Sequence, residues 1–166
     1  MLASLALVIY VVALAAAGLN DLVRYEIPNG LSLALVGAFA LYAPALPLSV
    51  LVAHLTAGLA VLAVVALAFA AGLMGGGDAK LFTAMALWMG WQELLPFLLL
   101  TALAGGAIAL ILLALRRLLA SRNRVGGWFG RLMAPESGVP YGLAISMAGL
   151  ALIGRLGVAE MSRAAG

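Results

Sequence analysis

Gly75-Gly76-Gly77-Asp78-Ala79-Lys80 interrupts two long apolar runs and carries two of the few charges in the chain. A carboxylate at the centre of a bilayer helix costs about 2.5–3.5 kcal/mol on insertion scales, so membrane chains rarely keep one without a use. Three glycines ahead of it leave no Cβ to block the backbone. A tight turn, a positive φ or a second peptide lying against the main chain all become accessible. The other aspartate is Asp21, at the end of the first apolar run. The reading of the whole chain turns on those two carboxylates meeting.

Outward from this stretch the sequence is apolar. Of 166 residues, 66% are hydrophobic and 9% charged, and the mean hydropathy is +1.21. A soluble domain of this length cannot bury that fraction, so the expected class is all-α, a polytopic membrane protein with residues 1–166 as one transmembrane domain. The runs are continuously apolar rather than alternating, which argues against a β-barrel. Cysteine is absent, which excludes disulfides, thiolate zinc sites and thiol nucleophiles. The net charge of +3 reports topology here rather than nucleic-acid binding.

Six apolar runs follow in order. The first covers residues 2–19. Ala15-Ala16-Ala17 resembles a signal-peptide cleavage site, but no Lys or Arg precedes the run and it is long for a signal core, so it is read as a span. Residues 20–30 are expected to form a polar loop with Asp21, Arg24 and Glu26; Pro28 pushes Ile27 out of helical geometry, and Asn29 is the expected cap of the next helix. The second run, 31–46, ends at Pro44 and Pro47. The third, 48–73, carries His54, which is expected to be a packed or interfacial residue rather than a ligand, because no metal partners surround it. Residues 74–80 form the glycine loop. The fourth run, 81–91, is too short to span at about 1.5 Å per residue, so its helix is expected either to begin inside the glycines or to stay partly embedded, and either choice draws Asp78 to the membrane boundary. Trp88 and Trp91 are assigned to the interfacial belt and Glu93 to a solvated external turn. The fifth run is 94–115, with Pro96 in its first turn and Gly105-Gly106 allowing close helix packing. The basic segment 116–131 holds Arg116, Arg117, Arg122, Arg124 and Arg131. The sixth run, 138–158, opens with Val139-Pro140-Tyr141-Gly142, and a short polar tail follows from Glu160.

A bundle of six transmembrane helices is therefore expected. Placing the basic segment on the cytoplasmic side puts the 20–30 and 75–80 segments there too, with both termini outside. Asp21 and Asp78 then share one face of the membrane. Two carboxylates in one partly dry site tend to hold a single proton between them. One can then take a proton from water while the other hydrogen-bonds a scissile carbonyl, with no metal or covalent intermediate. Lys80 either biases Asp78, holds a substrate carboxylate, or reaches the headgroups. Two other classes stay open: a proton-relay or transport subunit, which would favour acids buried mid-helix, and a non-catalytic assembly protein.

Asp21 with Ile27-Pro28-Asn29, then Gly75-Gly76-Gly77-Asp78-Ala79-Lys80-Leu81, then Val139-Pro140-Tyr141-Gly142, resembles the type IV prepilin peptidase family, membrane aspartic proteases with a G-x-G-D motif. The resemblance runs from Asp21 into the sixth run. It implies that Asp21 and Asp78 are the catalytic pair, facing the cytoplasm at the inner membrane. It further implies that the substrate is a prepilin, cut after the Gly that ends a short basic leader, ahead of a hydrophobic helix. Gly75, Gly76 and Gly77 would then receive the scissile peptide, with Glu26 and Glu136 meeting the leader and Arg24 or Lys80 an acidic residue beyond the cut. Longer relatives carry a cysteine-containing N-terminal cytoplasmic domain linked to methylation. Its absence here resembles the minimal members serving Flp/Tad pili, with archaeal preflagellin peptidases as the alternative. The implied partners are the prepilin and the lipid bilayer, without nucleic acid; a homo-oligomer is left open. No cofactor or metal is called for. Relatives often have Pro after the aromatic-Gly pair where this chain has Leu143, a departure that touches the start of the sixth helix.

Overall fold

The computed structural model describes residues 1–119, 127–134 and 137–164. Ser121, Arg122, Arg124 and Glu136 lie outside the described residues. Among those described, every regular element is helical: α1 (Leu2–Arg24), α2 (Asn29–Tyr42) with a short 3-10 turn at Ala43–Ala45, α3 (Leu48–Ala70), α4 (Gly76–Leu119), α5 (Gly127–Met133) and α6 (Tyr141–Ala164). Three of them, α1, α3 and α4, are long and apolar enough to cross a membrane, and α2 and α6 are shorter apolar helices.

The ends of these helices differ from the sequence expectation in ways that matter for the site. The expected loop from residue 20 is instead the last turn of α1. Asn20 stays helical with its Nδ2 donating to the Ala16 carbonyl at 2.9 Å, and Arg24 sits in the final turn, where a cation suits the negative end of the helix. Tyr25, with φ 58°, stops the helix, and its N–H closes on the Asp21 carbonyl at 2.9 Å. Asn29 does not cap α2. Pro28, extended at ψ 133°, holds the cap position and no side chain bonds there, which leaves the Asn29 amide free for another partner. Of the two expected alternatives, α4 takes the start within the glycines, at Gly76. Between α3 and α4 it is Gly72, at φ 71°, and not Gly75, Gly76 or Gly77 that takes a positive φ.

The fourth and fifth runs form one element with an elbow. Gly90 adopts φ 57°, ψ −175° and breaks α4 into two arms. His54 from α3 packs directly on this point, with three ring atoms 3.1 Å from where a Gly90 Cβ would stand. Its Nδ1–H donates to the Leu87 carbonyl at 2.9 Å, one of the acceptors a helix end leaves without an intrahelical donor. His54 is thus a packed residue that finishes the first arm. Glu93 is not in a turn. It lies inside the second arm, and its carboxylate is 3.3 Å from Arg155 of α6.

The core lies between α1, α2, α6 and the first arm of α4, while α3 packs chiefly along α4. Trp88 is its centre rather than part of an interfacial belt. It is fully buried, its Nε1–H donates to the Leu35 carbonyl at 2.9 Å, and the rings of Tyr10, Phe39 and Tyr42 surround it at 4.7–5.6 Å between centroids. Trp88 lies two residues before the elbow at Gly90, and its ring turns into the bundle between α1 and α2 rather than outward. Trp91, just past the elbow, is exposed and donates to Thr56 Oγ1.

Candidate active site

The site lies at the end of the bundle where α1 finishes and α4 and α6 begin. Asp21 occupies the last turn of α1 and is only 5% exposed. Its Oδ2 accepts the Leu143 N–H at 3.1 Å. Leu143 is the third residue of α6, and its N–H is one of the first four that a helix cannot satisfy internally. Asp21 therefore caps α6 from a different helix. The approach is close because residue 142 is glycine: a Cβ there would stand 2.9 Å from Asp21 Oδ2 and 2.6 Å from Ile27 Cδ1.

Asp78 stands in the first turn of α4. Gly75 lies beside its carboxylate, with a Cβ position 3.3 Å from Oδ2. Gly77 faces the other way, and its Cβ position is 3.2 Å from Ile27 Cβ. Ile27 is thus wedged between glycines of two helix starts, which ties the Ile-Pro-Asn turn to both. Asp21 and Asp78 line one cavity of about 500 Å³ together with Tyr25, Glu26, Ile27, Pro28, Asn29, Gly75, Gly76 and Gly77.

Several residues expected in the site are placed differently. Arg24 is exposed at the end of α1 and does not line the cavity. Lys80 is also outside it; its Nζ donates to the Asn29 Oδ1 at 2.9 Å and so bridges α4 to α2. Glu26 is exposed at the rim and does line it. Three groups were not singled out from sequence. Two are Gly142 and the Leu143 N–H, whose only signal was the Val-Pro-Tyr-Gly run. The third is Tyr25. Its hydroxyl is buried. Burial holds the Tyr25 phenol above its ordinary value, an effect that Arg116 beside it offsets only in part.

Arg116 fastens the surround. Its Nε and Nη2 both donate to the Leu132 carbonyl, at 3.1 and 2.9 Å, and Nη2 also reaches the Gly138 carbonyl at 3.2 Å. Arg131 of α5 donates to the Val23 carbonyl at 3.3 Å. Arg24, Lys80, Arg116, Arg117 and Arg131 thus gather at the carboxylate end, whereas Arg155 pairs with Glu93 far from it. Among the described residues, no three His, Asp or Glu side chains gather as metal ligands.

Neither the curated proteins nor the solved structures returned a match. The model of the type IV leader peptidase family matches residues 8–110, a stretch holding both aspartates, the Ile-Pro-Asn turn and the glycine run. With that match over more than half its length, this membrane chain belongs to the type IV leader peptidase family, which points to an aspartic protease.

Proposed function

We propose that the chain, acting as one peptidase domain over residues 1–166, cleaves the short basic leader of a type IV or Flp-type prepilin after Gly at the cytoplasmic face of the inner membrane. The observation that carries this is that Asp21 and Asp78, on different helices, line one cavity floored by Gly75, Gly76 and Gly77. A peptide can be cut only once it leaves helical form and exposes its carbonyl. A ledge without Cβ atoms lets such an extended segment lie against the main chain. Asp21 already accepts a backbone N–H, and an acceptor oxygen suits the unprotonated member of the pair. Asp21 is therefore the base that draws a proton from water, and Asp78 the acid that hydrogen-bonds the scissile carbonyl. The water oxygen adds to the carbonyl carbon; as the C–N bond breaks, the proton taken up by Asp21 passes to the leaving amine and Asp78 recovers its own from the tetrahedral diol, so the site resets with one proton and no covalent intermediate.

The clustering of Arg24, Lys80, Arg116, Arg117 and Arg131 at the carboxylate end supports a cytoplasmic site. The elbow at Gly90 supports counting the two arms of α4 as separate spans, which makes six and leaves both termini outside. Glu26 at the rim is positioned to meet a basic leader. A proton relay is less well supported, because the two acids open onto a peptide-sized cavity at a helix boundary rather than forming a chain through the bundle. The test is co-expression with a prepilin-type precursor. The expected outcome is a mobility shift that requires Asp21 and Asp78; a shift that persists without either one refutes the pair.

A further inference from the structure

Helices α2 and α3 both pack against α4 but barely touch each other. The opening between them is a second cavity, of about 560 Å³. Its floor is one face of α4, where Gly76, Ala79 and Thr83 recur at helical spacing with small side chains, flanked by Lys80 and Ala84. Its walls are apolar and open: Val36 of α2 is 43% exposed, and Leu62 and Phe69 of α3 are 45% and 55% exposed. Each wall runs two helical turns from the carboxylate end, giving a groove roughly 11 Å long at 1.5 Å per residue.

Two observations say what the groove is for. It adjoins the carboxylate cavity, with Asn29 and Gly76 lining both, and the Lys80–Asn29 hydrogen bond lies where the two meet. It also holds an unpaired polar group. Ser32 is only 7% exposed, lines the groove, and its Oγ has no hydrogen-bond partner. A buried hydroxyl left unpaired is costly, and in membranes serines commonly pair across a helix interface.

We infer that this groove between α2 and α3 seats the first two turns of an apolar substrate helix, the segment that directly follows the bond cut between Asp21 and Asp78. The inference rests on the peptidase reading given above. A chain leaving the carboxylates passes Asn29 and Gly76, resumes helical form there, and lies on the small-residue floor of α4, where close approach is allowed. A lipid tail also fits the apolar walls but has no bearing on the carboxylates.

The chain has no native cysteine, so cross-linking in liposomes tests this directly. The Asp78→Asn chain, carrying Val36→Cys or Leu62→Cys, is paired with a prepilin-type precursor that has single cysteines along its apolar helix. Val12→Cys, on an exposed position of α1, is the control. Helically periodic cross-links at Val36 and Leu62, at roughly tenfold the Val12 yield, are expected. Yields no higher than the control, in preparations where the wild-type chain cuts the precursor and Asp78→Asn does not, overturn the groove and leave the peptidase standing. A wild-type chain that cuts no precursor overturns both. Kinetics gives a second arm. Leu62→Trp should raise KM about tenfold with little change in kcat, whereas Val64→Trp, on the far face of α3 and 65% exposed, should not. An unchanged KM in Leu62→Trp means lipid fills the groove and overturns the inference.

Discussion

At the scale of single residues, the two carboxylates have different surroundings, and the predictions follow from that difference. Asp21→Asn and Asp78→Asn are nearly isosteric and should each lower cleavage by roughly a thousandfold or more, while inserting and folding as the parent does. An Asn can neither take a proton from water nor share one. Near-parental cleavage by either variant removes that residue from the pair. A pair holding one proton predicts a bell-shaped dependence of initial rate on pH. The acidic limb reports protonation of the base, and the alkaline limb reports loss of the shared proton. EDTA should leave the profile unchanged. Activity lost in EDTA and restored by a divalent cation would instead make the carboxylates metal ligands. Gly142→Ala tests the close approach: a methyl group there meets Asp21 Oδ2 at 2.9 Å and Ile27 Cδ1 at 2.6 Å. It should cut kcat by about tenfold to a hundredfold, since small misplacement of a reacting group is enough to do so.

At the scale of elements, the informative joints are helix ends. Leu143→Pro removes the N–H given to Asp21 but installs the residue that relatives often carry there, which a first helical turn tolerates. Cleavage and thermal stability should therefore both persist; loss of kcat with the fold intact would show that this chain relies on the Leu143 N–H to orient Asp21. The Gly90 elbow acts on stability instead. Gly90→Ala places a side chain at φ 57° and against the His54 ring. Strain of this kind costs of order 1–3 kcal/mol. The midpoint of thermal unfolding should therefore drop, with the cleavage rate of the folded fraction retained, because the elbow lies at the far end of α4's first arm from Asp78. A melting temperature equal to the parent's would mean that the elbow is not strained by a side chain.

At the scale of the whole molecule, one end carries the cavity and the clustered cations, and the other carries the start of α3 and the Glu93–Arg155 pair. Single-cysteine labelling reads the orientation. Leu48→Cys, 75% exposed at the start of α3, should react with an impermeant reagent applied to intact cells. Arg117→Cys should react only after the membrane is opened. The reverse pattern turns the molecule over and puts the site outside.

Sequence alone determined the class, because 66% hydrophobic content in continuous runs has no soluble solution. It also singled out Asp21 and Asp78, because unpaired acids in such a chain stand out by their cost. Simple length left the fourth helix to start inside the glycines or stay partly embedded, as eleven apolar residues cannot span a bilayer, and the structure starts it at Gly76. What tertiary structure decided were matters of partnership. Trp88 reads as an interfacial residue in a local window, yet the elbow at Gly90 and the rings of Tyr10, Phe39 and Tyr42 make it the core. Glu93 reads as a loop charge until Arg155 is brought beside it. Asn29 reads as a cap until Lys80 takes its amide oxygen. The Leu143 N–H is invisible in sequence, because any residue but proline carries one. Only the packing of α1 against the start of α6 turns that common group into the partner of Asp21. Burial cost and chain length act locally and can be read along the chain; which distant groups satisfy each other is settled only when the helices pack.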